Sequence, residues 1–167
     1  GKFTQAFYNY VDLPDRVNVP LRKYARISDE EIEERYEYEN EHPEAVIVGD
    51  ATIVKGIDVL RGMPKGGTLV VNTDRSPEDI LKFIPNANML KKIVCVDANK
   101  ICGARTVDFS GSEGGIDSVG IGDGVAAPIL GAFVKATGAV KLESLANVVK
   151  NKDAMYKGYD QASIKTL

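Results

Sequence analysis

Thr68-Leu69-Val70-Val71-Asn72-Thr73, followed after two residues by Ser76-Pro77-Glu78-Asp79, is the stretch that decides the fold. Its apolar, β-branched run carries no polar alternation, the pattern of a strand covered on both faces in a parallel sheet. Asn72 and Thr73 close the run. Ser76 then offers a helix N-cap, with Pro77 at the first helical position and two carboxylates in the first turn. Ala45-Val46-Ile47-Val48 and Ile93-Val94-Cys95-Val96 repeat the strand signal. Helix-length segments, 52–61 and 77–83, lie between the three. Strand–helix–strand alternation with short loops predicts an α/β fold: a doubly wound, mostly parallel, Rossmann-like sheet with helices on both faces. In such sheets ligands bind beyond the carboxyl ends of the strands. The polar row Asp50, Asn72, Asp97 and Asn99 therefore marks the rim to watch, the plainer alternative being that these residues cap turns.

A second informative segment runs from Pro128 to Val140 and leads into Leu142-Glu143-Ser144-Leu145. Pro128 reads as a first helical position and Gly138 as a left-handed C-cap before a further helix. Gly131, Ala132 and Ala136 would let another backbone approach closely. At the other end of the chain, 2–10 and 21–27 look extended, separated by a stretch in which Pro14 and Pro20 forbid ordinary ladder bonding. Ser28-Asp29-Glu30-Glu31 fits a capping box for a helix towards Asn40. The alternation in Arg35-Tyr36-Glu37-Tyr38 fits a hairpin turning at 28–30 equally well. Six glycines between Ser110 and Gly124 predict a long loop.

The chain has 167 residues, 44% hydrophobic and 27% charged, as expected of one soluble globular domain. A net charge of -3 and no dominant basic patch argue against a nucleic-acid partner. No apolar run approaches the roughly 20 residues of a membrane-spanning helix. Cys95, within a strand signal, reads as a small buried hydrophobe. With Cys102 it makes two thiols, where an iron–sulfur cluster needs about four. A cytoplasmic location with reduced thiols is the default.

Gly120-Ile121-Gly122-Asp123-Gly124 does not follow a strand and lacks the spacing of a dinucleotide fingerprint. His42, in Glu41-His42-Pro43, has no Ser or Cys pattern around it and reads as a solvated loop residue rather than a base or metal ligand. The acidic residues from Glu30 to Glu44 read as a solvated face. No catalytic and no metal-ligating set emerges, and nothing assembles an acid, a nucleophile and an oxyanion hole. By chemistry alone the chain is a non-catalytic α/β module or one part of a composite site. A stand-alone nucleotide- or phosphate-binding module and a purely structural scaffold are the competing readings.

Read in order, the chain resembles the gamma-type subunit of the 2-oxoacid:ferredoxin oxidoreductases, along nearly its whole length. The likeness runs through Gly1-Lys2-Phe3-Thr4-Gln5-Ala6-Phe7, Tyr24-Ala25-Arg26-Ile27-Ser28-Asp29 and Leu69-Val70-Val71-Asn72-Thr73. It continues through Val96-Asp97-Ala98-Asn99-Lys100-Ile101 and Ile129-Leu130-Gly131-Ala132-Phe133-Val134-Lys135-Ala136-Thr137-Gly138 to Leu142-Glu143-Ser144-Leu145. The resemblance implies a single gamma-type domain spanning 1–167 within a larger enzyme that oxidatively decarboxylates a 2-oxo acid. Thiamine diphosphate and [4Fe-4S] clusters would sit on alpha- and beta-type partner subunits, with electrons leaving to ferredoxin through the complex. Arg16, Asn18, Asn72, Asn99 and the loop from Gly111 to Gly124 would face that shared region.

Three departures from the family pattern bear on the reading. The family's first Gly-rich loop lies upstream of Gly1, so the chain is expected to be a piece of a longer one. Asp15-Arg16-Val17-Asn18 stands where many members carry a Gly-Gly turn. Ala126-Ala127-Pro128 stands where the family places an Asn, and Ala offers no hydrogen bond. The resemblance then implies that coenzyme A is not bound in the usual way, as in an enzyme that needs no acyl acceptor, such as oxalate oxidoreductase.

Overall fold

The structure, a computed structural model, describes residues 2–8, 22–33, 40–103 and 123–167. They fall into two compact units, Gly1–His42 and Pro43–Leu167. In the first, β1 (Phe3–Tyr8) and β2 (Lys23–Ser28) pair antiparallel, from Phe3 opposite Ser28 to Tyr8 opposite Lys23. Phe7 stacks on Tyr24 with ring centroids 5.3 Å apart, and the Arg26 guanidinium lies 5.1 Å from the Phe7 centroid. Arg26 also donates to Gln5 Oε1 at 3.1 Å and Asn40 Oδ1 at 2.8 Å. The Ser28 hydroxyl accepts from the Glu30 amide at 3.0 Å, closing a local turn. Residues 29–33 are accordingly not helical, and the rest of the capping-box helix lies outside the described residues.

In the second unit, β3 (Ala45–Val48), β4 (Gly67–Asn72) and β5 (Leu90–Val96) run parallel. β6 (Ser163–Thr166) adds antiparallel to β5, giving the order β3-β4-β5-β6. Every residue of β4 is buried. Alternation sends Leu69 and Val71 to one face, packed with Ile93, Val54, Leu60 and Ile80. Val70 faces the other way and joins Val94, Val96, Ile129, Ala132 and Ala136. Burying each such aliphatic side chain contributes about 1.5–3 kcal/mol. The first face is covered by α1 (Pro77–Leu81) and its neighbouring turns, the second by α2 (Ala98–Cys102), α3 (Asp123–Thr137) and Ala162 at the end of α5 (Lys152–Gln161). A short α4 (Leu142–Ala146) joins α3 to α5. The expected α/β sheet with helices on both faces is present.

The caps explain where helices start and stop. Ser76 accepts from the Asp79 amide with Pro77 at the start of α1, and Gly138 ends α3 at φ 63°. Two expectations change. The segment 52–61 is one 3-10 turn, Ala51–Lys55, followed by tight turns. The carboxylate of Asp58 takes the Leu60 amide at 3.1 Å, and Gly62 adopts φ 79°, so the backbone leaves helical geometry there. Pro128, expected to begin its helix, lies inside α3, where it forgoes one helical hydrogen bond. Tertiary packing compensates, because Pro128 is fully buried with its backbone against Gly158 of α5.

That contact is reciprocal. A Cβ on Gly158 would strike the Pro128 carbonyl, and one on Gly131 would strike the Met155 carbonyl oxygen. The two helices touch main chain to main chain. Helix propensity alone would make alanine better than glycine by about 1 kcal/mol at either position. The close approach reverses the sign: Gly131→Ala and Gly158→Ala are each expected to destabilise by about 1–3 kcal/mol. Thermal melting checks this, with an expected fall of roughly 2–4 °C per kcal/mol; a raised midpoint would contradict the packing.

Candidate functional site

Where β3, β4 and β5 end, a cavity of about 530 Å³ opens at their carboxyl rim. Its lining comes from Ala51–Lys55 beyond β3, from Asn72–Arg75 beyond β4, and from Asp97, Asn99, Lys100 and Gly103 beyond β5, with Val54, Ile80 and Phe83 as apolar walls. This is the rim at which parallel sheets bind ligands.

The rim row divides by what each side chain does. Asp50 accepts from the Thr52 amide at 2.9 Å and its hydroxyl at 2.7 Å, and Asp97 accepts from the Lys100 amide at 2.9 Å. Both therefore cap turns, as the plainer alternative held. Asn72, 7% exposed, uses both ends of its amide: Nδ2 donates to the Gly49 carbonyl at 3.0 Å and Oδ1 accepts from the Ala98 amide at 3.0 Å. Asn99 is exposed on the first turn of α2 and lines the cavity. Asn72 and Asn99 are thus brought to one cavity. Arg16, Asn18 and the loop residues 111–122 lie outside the described residues, while Asp123 and Gly124 open α3.

Charged residues complete the lining. Lys55, Arg75 and Lys100 stand against Asp74 and Asp97, an excess of one positive charge. The Lys55 ammonium sits 5.3 Å from the Phe83 centroid, and the Thr73 hydroxyl accepts from the Arg75 amide at 3.1 Å. The arrangement suits binding and orienting a polar or anionic group rather than making or breaking bonds. The three cations were missed by sequence reasoning. The available signal was a basic residue shortly after each strand end, which a lone surface Lys or Arg mimics.

Burial pushes the Cys95 thiol up to about 12, with the Glu78 carboxylate adding to the effect, and burial raises Cys102 as well. A buried neutral thiol is a poor cluster ligand. Cys95 is buried and Cys102 part-buried, and two thiols fall short of the about four that a [4Fe-4S] site needs. Among the described residues no three His, Cys, Asp or Glu side chains gather where a metal could sit. No described helix is long and apolar enough to cross a membrane.

A mostly parallel sheet covered by helices, with a cavity at the carboxyl rim of its strands, defines an α/β module with a candidate ligand site. The chain belongs to the pyruvate ferredoxin/flavodoxin oxidoreductase family, whose sequence profile matches residues 18–156. It is 32% identical over 150 residues to the pyruvate/ketoisovalerate oxidoreductases common subunit gamma of Thermococcus kodakarensis, covering 90% of this chain and 70% of that one. It is 30% identical over 175 residues to the pyruvate synthase subunit PorC of Thermotoga maritima, covering 96% and 80%. The crystal structure of a pyruvate oxidoreductase subunit PORC from Thermotoga maritima superposes with a TM-score of 0.69 at 28% identity, covering 98% of this chain and 82% of that one. The gamma-type resemblance thus stands; these relatives are themselves named for pyruvate and ketoisovalerate.

The thiols give a direct check. At pH 8 a disulfide reagent is expected to leave Cys95 unmodified in the folded protein and to modify it on unfolding. The sign of the shift also sets a pH window. A thiol held neutral by the fold but free to ionise in the unfolded chain contributes stability below about pH 9 that is lost as pH rises towards about 12. Cys95→Val should therefore lose less stability than the parent above pH 9 in chemical denaturation.

Proposed function

We propose that this chain is the gamma-type component of a thiamine-diphosphate- and iron–sulfur-dependent oxidoreductase. The enzyme oxidatively decarboxylates a 2-oxo acid in the cytoplasm and passes the electrons to ferredoxin. The observation that supports this reading is the likeness to gamma-type subunits along nearly the whole chain. The chain acts as one gamma-type domain beside alpha- and beta-type subunits. Thiamine diphosphate on a partner supplies the carbon chemistry, and partner-held clusters carry the electrons. This chain binds, orients and walls off. Its rim cavity, with Asn72 and Asn99, faces the shared centre; Arg16 and Asn18 serve contact with substrate or partner.

Coenzyme A is not bound in the usual way. In α3, Ala126 is exposed while Ala127 and Pro128 are buried, and none of the three offers a side-chain hydrogen bond. Losing one polar contact in a buried site costs about 1–3 kcal/mol. A 2-oxo acid is the substrate class this reading takes; oxalate draws no support from the relatives.

Native material is expected to elute by size exclusion with larger, iron-containing chains and to reduce ferredoxin with pyruvate, water taking the acyl group as acetate where coenzyme A is absent; strict dependence on coenzyme A would overturn the reading of its binding. A monomer that binds nucleotide alone, with no iron, would overturn the assignment. Arg16→Ala in the assembled enzyme is expected to raise KM for the 2-oxo acid roughly three- to tenfold, the range of one lost ionic contact of about 1 kcal/mol. An unchanged KM would remove Arg16 from substrate attraction.

A further inference from the structure

We propose that Asn72 is a positioning residue that holds the two flanking walls of the rim cavity in register, one hydrogen bond to each. The inference rests on the reading of that cavity as a ligand-facing site.

One wall, Ala51–Lys55, hangs from the end of β3 through Gly49 and its capping residue Asp50; the other is α2, which begins at Ala98. They share no strand neighbour except β4, which lies between β3 and β5. Among the described residues the side chain of Asn72 alone bridges Gly49 and Ala98, reaching 23 residues back to the Gly49 carbonyl and 26 forward to the Ala98 amide. The task demands a side chain with a donor and an acceptor at one fixed reach. Ionised Asp keeps only acceptors, Leu has the shape and neither function, and Gln reaches one methylene too far. Burial strengthens the Ala98 end of the tie, where the bond is buried and an amide left unsatisfied costs more than an exposed bond contributes, while the Gly49 end is part-buried. Lys55 rides on one wall and Asn99 with Lys100 on the other. Their separation is thereby set by a residue that need not touch the ligand.

The test is hydrogen exchange in the assembled complex, read segment by segment. Asn72→Asp should lower protection about tenfold in 50–56 while sparing 98–103, because only the donor is lost. Asn72→Leu should lower both by a similar factor. Equal effects of the two variants on both walls, no effect on either, or a uniform loss through β4 and β5 would each overturn the proposal. Should the variants fail to assemble, the parent protein in sub-denaturing urea decides. The two walls opening in one step with a common free energy support the tie, and separate openings overturn it. Kinetics then separate this inference from the functional reading. With the exchange pattern as expected, Asn72→Asp should raise KM for pyruvate severalfold with kcat nearly unchanged. An unchanged KM alongside that pattern would leave the tie standing and remove the cavity from the ligand site.

Discussion

The burial of β4 on both faces is the constraint from which the rest of this structure follows. A strand with no solvent-facing side needs cover above and below, so the chain must send elements to both sides of the sheet. Leu69 and Val71 call for the packing around Val54, Leu60 and Ile80; Val70 calls for α3. Parallel neighbours follow, because each return crosses a face before re-entering the sheet. Three strand ends then arrive at one edge, each needing its last polar groups satisfied. The cavity is the space left between those terminations.

The covering layer is secured in an economical way. The Lys92 ammonium, from β5, donates to the Ala136 carbonyl near the end of α3, and Lys135, from α3, donates to the carbonyls of Asp160 and Ala162 at the end of α5. Each cation satisfies carbonyls that have no partner within their own helix and sits at the negative end of the helix dipole. Sheet, first helix and second helix are thus linked in series by two side chains. By contrast, the exposed Lys165–Glu78 pair at 2.7 Å adds little to stability.

Much of this was legible from local chemistry. The three apolar runs, the Ser76 cap and the Gly138 terminus depend on neighbours within a few residues, and all form where read, except that β3 is an edge strand with Ile47 exposed rather than a buried one. What failed depends on partners far along the chain or on side chains with two uses. Thr52–Arg61 has the length of a helix, but the Asp58 carboxylate offers the backbone a competing bond. Pro128 looks like a beginning until α5 packs on it. At the rim, Asn72 and Asn99 were found because polar residues end apolar strands conspicuously. The cations Lys55, Arg75 and Lys100 were not, because nothing near them in sequence separates a cavity wall from open surface.

The main-chain contact between α3 and α5 has a bearing on how sequence profiles of such proteins are interpreted. Where two polypeptide backbones meet without side chains between them, the permitted alphabet shrinks to a single letter for steric reasons alone. Strict retention of glycine at 131 and 158 across an alignment would then testify to the seam between helices, and mistaking it for the imprint of a bound molecule would move the active region to the wrong part of the fold.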